Sequence, residues 1–488
     1  MSNLSQKSMV LIGLLWSGSA TILTKGMSLF SQFFLGIFLE TATYGVFAII
    51  VSSLVFVSVF QNTGVHKMLI SNHNEYSTLF PDYSAFIFIS SIIGFFLLIA
   101  IGFWEIRSHE IQGLIVVYFI TAFSIPLIAI ATLFSSKLSI ELNFKGINMV
   151  LMGHAVVYYC LTIFLAWMGA EIYSIAIANL IAAAIQLALY RKLSGNMSLQ
   201  FKLRPRKYIG YVKKFRWILI SGLLSALAMR ADFLVLSKML SITDLGLYYF
   251  GFMLVMSLTA LISIGINQTL LPIFAKQLPN PFEFQKQFID VSMGIAIASS
   301  FLSILIITFG PFMMHFLWGG KWDGATIVVV MAALFIPLRM MNVIAHTTLE
   351  AKANWTPKTY LLILEIVTLV ILVYIGASLG GLIGACIGIT LQRIISSLVS
   401  FPFVCNRIGI KFLEIFYIFL RTLFPFIVSI AANIYFQDNN FNLINIDYSG
   451  IDIGAYSLYT LLIWMIATLI CNYRLSLRFL SQINWSVR

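Results

Sequence analysis

Apolar stretches of about twenty or more residues follow one another along almost the whole 488-residue chain. Charged residues stand mainly in the short connections and make up only 10% of the sequence, whereas soluble domains contain about 25%. A helix of about 20 apolar residues is long enough to cross the hydrocarbon core of a bilayer. The pattern therefore predicts an all-α membrane protein with many spans, and it excludes a water-soluble fold.

The apolar stretches define about fourteen predicted transmembrane helices. Their boundaries in chain order are 8–37, 44–65, 83–103, 112–135, 147–169, 171–190, 217–238, 245–275, 291–318, 325–349, 359–378, 382–404, 412–436 and 453–473. The N-terminal stretch is too long for a signal-peptide core, and no small-residue cleavage site follows it. We therefore predict that it is the first spanning helix.

The segment 191–216 between the sixth and seventh spans carries nine Lys or Arg and no Asp or Glu. Basic loops are retained on the cytoplasmic side of a membrane, so this loop fixes the orientation. With both termini on the same side, cytoplasmic segments hold 22 Lys or Arg and the opposite face holds three. The net charge of +12 therefore reports topology, and no nucleic-acid partner is expected.

Short motifs recur between the two halves of the chain. TYGVF at 43–47 matches DLGLY at 244–248, and Ile125-Pro126-Leu127 matches Ile336-Pro337-Leu338. Internal duplication is common in transporter folds, with the substrate site between the repeats. We predict an N-lobe at 1–200, a C-lobe at 201–410, and two appended helices at 411–488.

Seven charged residues fall inside the predicted spans, away from the span ends. A charge at the bilayer centre costs at least about 2.5–3.5 kcal/mol, so these side chains must face protein or a water-filled cavity. Two acids can neutralise at most two of the five cations. The cations are therefore predicted to line an anion-binding cavity, with mixed structural pairing and misplaced spans as the alternatives. The candidate substrate-binding residues are Lys25, Arg230, Arg339, Arg393 and Arg421, and the acids are Asp232 and Glu365.

Two of these positions raise specific expectations. Arg230 and Asp232 do not share a helix face because they are two residues apart, so Asp232 is expected to reach a cation on another helix, with Lys25 as one candidate. Arg339 follows Pro337, where a kink would free backbone groups to line a cavity.

The remaining charged positions leave alternatives open. Arg393 lies near a Gly380, Gly384 and Gly388 stripe that predicts close helix packing, and it could instead bind backbone carbonyls. Arg421 could instead serve a lateral lipid contact. Asp232 and Glu365 are candidates for coupling to a proton or sodium ion, or for structural counter-ions.

No motif of a known catalytic or cofactor site is present. The four cysteines are widely spaced, no Gly-rich phosphate loop occurs, and no histidine begins an H-x4-D pair. The longest outer connection, 437–452, is too short for a folded external domain. We therefore expect no metal, no cofactor and no enzymatic activity.

The sequence resembles the bacterial polysaccharide exporters, the O-antigen and capsule flippases. The resemblance rests on ETATYGVFA at 40–48, NTGV at 62–65, LNFK at 142–145, LGLYYF at 245–250 and LP at 271–272. These exporters belong to the superfamily that includes lipid II flippases and multidrug extruders. The resemblance implies a two-lobed helical fold with a central cationic cavity, in the bacterial inner membrane.

The implied substrate is an undecaprenyl-diphosphate-linked oligosaccharide, moved from the cytoplasmic to the outer leaflet by rocking of the two lobes. Membrane lipids and other polysaccharide-assembly membrane proteins are the further partners that it suggests. Three alternatives remain: a multidrug or cation exporter of the same superfamily, a membrane-bound polysaccharide polymerase or ligase, and a non-transporting scaffold. The excess of interior cations argues against the first, and the lack of a large external loop argues against the second.

Overall fold

The computed structural model describes residues 6–61, 65–71, 75–109, 111–195, 205–277, 279–352, 354–440 and 459–472. Within these ranges the regular structure is helical and no strand occurs. The described residues of every predicted span are almost entirely helical, which confirms the predicted fold class. Part of the basic segment (196–204), the NTG of the 62–65 motif, and residues 441–452 of the outer connection lie outside the described residues.

The first of two compact units comprises Met1–Phe250. Within it α4 packs on α5, α5 and α6 pack on α7, α1 packs on α6, and α2 packs on α8. Its helices are α1 (Gln6–Phe38), α2 (Thr41–Gln61), α3 (Val65–Ser71), α4 (Tyr76–His109), α5 (Leu114–Ile140), α6 (Phe144–Trp167), α7 (Tyr173–Leu193) and α8 (Pro205–Met239), followed by the start of α9 (Ile242–Gln277).

The second compact unit comprises Gly251–Arg488. Within it α12 packs on α13, and α10 packs on α11, α12 and α14. After the remainder of α9 its helices are α10 (Pro281–Trp318), α11 (Thr326–Leu334), α12 (Ile336–Ala351), α13 (Trp355–Arg407), α14 (Phe412–Asn440) and α15 (Tyr459–Asn472).

Many of these helices have the length and composition of membrane spans. Among the described residues, nine helices are long and apolar enough to cross a bilayer, and α11 with α12 forms a further span bent by 47°. The bend lies just before Pro337, which confirms the kink expected there. The protein is therefore a multi-pass membrane protein.

The 53-residue α13 contains a break at Gly380 and Gly381. Gly381 adopts a φ of +54°, which side chains rarely tolerate, and the break divides α13 into the predicted spans 359–378 and 382–404. A Cβ atom on Gly384 would overlap the backbone carbonyl of Gly376, and one on Gly388 would overlap that of Leu372. Gly384 and Gly388 therefore permit close packing between the two halves of α13, as predicted, whereas no atom of the described residues lies near the Cβ position of Gly380.

The repeated glycines Gly45 and Gly246 pack against each other's helices. A Cβ on Gly45 would overlap the carbonyl oxygen of Ile242, and one on Gly246 would overlap that of Thr41. Each glycine thus contacts the residue four positions before the other glycine, which is a reciprocal contact between corresponding positions of the repeat. The two compact units divide the chain at Phe250, so the lobe boundaries drawn from the repeat remain a prediction.

Candidate functional site

Two of the predicted cations come together in the first compact unit. Lys25 lies on α1 and Arg230 lies on α8, and both side chains are half-buried. They are close enough for the charge of Arg230 to act on the Lys25 ammonium group. Among the described residues, no carboxylate lies within ion-pair distance of Lys25. This site therefore concentrates positive charge inside a membrane-spanning unit.

Aromatic rings surround the Arg230 guanidinium group. Its carbon lies 5.3 Å from the ring centroid of Phe233, within the range of a cation–π interaction. The Arg230 charge also acts on the phenol of Tyr249, whose ring centroid lies 5.5 Å from that of Phe233. Tyr44 on α2 adds a ring 6.2 Å from Tyr249.

Helix α6 contributes two adjacent tyrosines to this site. The ring centroids of Tyr158 and Tyr159 are 4.9 Å apart, and the Tyr159 hydroxyl forms a hydrogen bond with Ser28, three residues beyond Lys25 on α1. Both phenols lie near Tyr249. These tyrosines are not among the site residues predicted from the sequence. The consecutive Tyr-Tyr pairs at 158–159 and 248–249, inside apolar spans, are the signal that could have found them.

Asp232 lies fully buried on α8. Its Oδ2 atom accepts a hydrogen bond of 2.5 Å from the Tyr248 hydroxyl, and its Oδ1 atom has no hydrogen-bond partner among the described residues. Within that part of the chain, neither Lys25 nor another cation lies within ion-pair distance of Asp232. Its immediate partner is therefore a phenol, and a role in ion coupling remains a prediction.

The second compact unit holds Arg339 directly after the bend between α11 and α12. The side chain is half-buried, and its Nη1 atom donates toward the sulfur of Met256 on α9. The polarizable thioether is a weak acceptor. The role of Arg339 in substrate binding remains a prediction.

Glu365 forms the centre of a polar cluster in the same unit. The residue is 8% exposed, and its Oε1 atom lies 2.9 Å from Asn342 Nδ2, 3.1 Å from His346 Nε2 and 2.8 Å from Ser396 Oγ. Gln392 Nε2 donates to the backbone oxygen of Glu365 at 3.2 Å. The three side-chain partners of Glu365 are not among the site residues predicted from the sequence.

Arg393 and Arg421 occupy different environments. Arg393 is half-buried on the second half of α13, and its Nε atom has no hydrogen-bond partner among the described residues. Arg421 is exposed on α14, 5.6 Å from the Tyr417 ring centroid. Arg421 also lines a cavity of about 350 Å³, together with Ile289, Met293, Glu414, Tyr417 and Ile418. Both the substrate-binding role and the lateral lipid contact of Arg421 remain predictions.

The fold matches solved structures of membrane flippases and transporters. The lipid II flippase MurJ in an inward closed conformation matches with a TM-score of 0.73 and 14% identity, over 94% of this chain and 99% of MurJ. An inward-facing MATE multidrug transporter of the MOP superfamily gives 0.57 and 15%, over 84% and 96% of the two chains. A MATE transporter from Vibrio cholerae gives 0.54 and 13%, over 84% and 98%.

These likenesses assign the chain to the fold class of the MurJ and MATE transporters. A family model described as polysaccharide biosynthesis protein matches residues 34–327, which is more than half of the chain. The protein therefore belongs to the polysaccharide biosynthesis family, and the resemblance found in its sequence is confirmed. No curated protein matches the chain significantly in sequence.

Proposed function

We propose that the protein is a flippase for undecaprenyl-diphosphate-linked oligosaccharide, an O-antigen or capsule repeat unit, in the bacterial inner membrane. It moves the lipid-linked sugar from the cytoplasmic to the outer leaflet by alternating access, with both termini in the cytoplasm. It performs no covalent chemistry. The lobe division at residues 200 and 410 belongs to this proposal.

The observation that carries the proposal is the pair of neighbouring cations, Lys25 and Arg230, in a multi-pass member of a polysaccharide biosynthesis family. Two like charges inside a membrane protein repel each other, and burial removes part of their hydration. An anionic ligand relieves both costs. A diphosphate has the charge and the acceptor oxygens to bridge an ammonium and a guanidinium group.

The surrounding aromatic residues suit the remainder of such a substrate. Tyr158, Tyr159 and Tyr249 combine apolar faces, which pack against the C–H groups of sugar rings, with hydroxyls that form hydrogen bonds. The polyprenyl tail can stay among membrane lipids. Arg339, Arg393 and Arg421 are the other candidate substrate-binding cations, with a lateral lipid contact as the alternative role of Arg421.

The membrane potential favours this direction of transport. Moving one elementary charge through 100 mV involves about 2.3 kcal/mol, and an inside-negative potential drives an anionic substrate outward. Asp232 and Glu365 are the candidate residues for additional coupling to a proton or sodium ion. Other membrane proteins of polysaccharide assembly are expected partners because they make and use this substrate.

A multidrug exporter is the second candidate, and the fold shared with MATE transporters favours it. Drugs exported by such a protein are mostly cationic and call for an acid in the binding site. Here Lys25 lies beside Arg230, and Arg230 lies beside the phenol of Tyr249, which favours an anionic substrate. A polymerase or ligase is disfavoured because none of the outer connections is long enough to hold a catalytic domain.

The proposal is tested by measuring lipid-linked oligosaccharide in each leaflet of cells with and without this protein. A deletion strain should accumulate the substrate on the cytoplasmic leaflet, and the wild-type gene should restore it to the outer leaflet. The Lys25→Ala/Arg230→Ala variant should not restore it, while the exposed-site control Lys192→Ala should. Equal leaflet distributions with and without the protein would refute the proposal.

A further inference from the structure

A buried histidine–carboxylate pair lies in the second compact unit, apart from Lys25 and Arg230 in the chain. His346 on α12 places its Nε2 atom 3.1 Å from Oε1 of Glu365, on the first half of α13. Ser396 on the second half of α13 donates to the same oxygen at 2.8 Å. Side chains on α12 and on both halves of α13 therefore meet at one carboxylate, so the fold itself positions this acid.

The hydrogen bonds fix the charge of the carboxylate. Donation from Asn342, Ser396 and His346 to one oxygen stabilises the ionised form, because hydrogen bonds to charged groups are stronger than those between neutral groups. An ionised acid within a membrane-spanning unit costs several kcal/mol to bury. Such a residue is a functional-site candidate by default.

The histidine has one ring nitrogen available for a proton. Nε2 faces Glu365, while Nδ1 is buried and has no hydrogen-bond partner among the described residues. A neutral imidazole that donates from Nε2 carries a lone pair at Nδ1. Protonation there creates a second N–H group that needs an acceptor. Binding of a proton must therefore be accompanied by entry of water or by movement of a neighbouring side chain.

Two other ion pairs lie on or next to the helices that surround this pair. Glu350 on α12 pairs with Lys358 on α13, and His315 at the end of α10 pairs with Asp323. Helix α11 carries no charged residue. Among the described residues, no Lys or Arg lies within ion-pair distance of Glu365. The remaining charged groups of α10, α12 and α13 are Glu283, Lys286, Asp290, Arg339, Arg393 and Arg407.

We propose that His346 and Glu365 form a proton-binding site that couples transport to a proton gradient. The proton adds to Nδ1 of His346 and changes the charge of the pair from −1 to 0, and no other bond forms or breaks. The use of this site in coupling rests on the transport function proposed above. His346 provides a titratable base beside the carboxylate, whereas the hydrogen-bond partner of Asp232 among the described residues is a tyrosine hydroxyl.

The site is tested by infrared titration of the purified full-length protein in lipid nanodiscs between about pH 5 and 8, where imidazole titrates. We expect the Glu365 carboxylate band to shift with protonation of an imidazole, and Glu365→Gln to remove that band. His346→Gln should abolish the shift, because the amide preserves the donor toward Glu365 but does not titrate. His315→Gln removes the pair that His315 forms with Asp323, and it should leave the shift intact.

Several outcomes would overturn the proposal. A Glu365 band that does not move across this pH range would do so, as would a shift that survives in His346→Gln. A band that responds to sodium chloride at constant pH, with potassium chloride as the control, would assign the site to a sodium ion instead. Retention of the wild-type thermal midpoint by His346→Gln shows that the variant is folded.

A transport measurement separates this inference from the proposed function. In proteoliposomes, a gradient of one pH unit should change wild-type transport by up to about tenfold for one proton per substrate, and His346→Gln should show no dependence on the gradient. Transport that is equally pH-dependent in wild type and His346→Gln contradicts the coupling while supporting the flippase. A normal titration without lipid-linked oligosaccharide transport supports the proton site and refutes the flippase.

Discussion

The two compact units contain opposite kinds of buried charge. In the first, the Lys25 ammonium faces the charge of Arg230 and has no carboxylate within ion-pair distance among the described residues. In the second, three side chains donate to one oxygen of Glu365. Lys25 therefore has no counter-charge among the described residues, while Glu365 already has several hydrogen-bond donors. This difference is the one expected if, as proposed, the first site binds an anionic ligand and the second binds a proton.

The largest expected effect comes from removing the positive charge of the first site. Lys25→Ala/Arg230→Ala should lower export of lipid-linked oligosaccharide by about two to four orders of magnitude, because each hydrogen bond to a charged group contributes about 1.5–3 kcal/mol. Complementation of surface polysaccharide in a deletion strain measures the loss. Lys25→Arg/Arg230→Lys should retain much of the activity. Full export by the alanine variant would show that the first site does not bind the anionic substrate.

Removing the carboxylate of the second site should affect stability first. Glu365→Ala leaves Asn342, His346 and Ser396 without their common acceptor, and breaking a buried charged pair costs about 3–5 kcal/mol. Thermal unfolding in detergent should show a clear decrease in the midpoint. Glu414→Ala, at an exposed acid, should cause none. Lys25→Ala should leave the midpoint unchanged or raise it. A large decrease in the midpoint of Lys25→Ala would show that Lys25, like Glu365, stabilises the fold.

The tyrosines should contribute less than the cations. Tyr249→Ala should lower export by about tenfold, since an aromatic contact contributes about 0.5–1.5 kcal/mol beyond its buried area, while Tyr249→Phe keeps the ring and should lose less. Leaflet-resolved export at matched expression measures both, with the exposed Tyr360→Ala as control. An equal loss in Phe and Ala variants would assign the effect to the hydroxyl and remove the argument for ring stacking.

Arg421 should give the smallest effect. Its side chain is exposed on α14, and surface substitutions usually change free energies by about 0.5 kcal/mol or less. Arg421→Ala should therefore lower export by about two- to threefold at most in the same assay. A loss as large as that of Arg230→Ala would extend the anion site to the appended helices.

The sequence was sufficient to predict the helices, because the bilayer directly determines the length of the apolar stretches and the distribution of basic residues. It also predicted the bend before Pro337 and the tight packing at Gly384, since both depend on the chemistry of one residue type. The repeat motifs identified Gly45 and Gly246, although their mutual contact became visible only in three dimensions.

The partners within each site could not be predicted in this way. Asp232 was expected to reach a cation, but its neighbour is Tyr248 on the next helix, because helix rotation decides which polar group is nearest. His346, Asn342 and Ser396 are ordinary residues in the sequence, and they become a site only when α12 and both halves of α13 meet at Glu365. Tyr158 and Tyr249 are likewise far apart in the chain.

The most direct test of the central claim is a flipping assay with purified protein in proteoliposomes that contain lipid-linked oligosaccharide. The account predicts that the wild-type protein moves the substrate between leaflets, and that Lys25→Ala/Arg230→Ala folds normally but does not. Equal flipping by the wild-type and double-variant proteins would show that these two cations do not bind the diphosphate, and it would contradict the account.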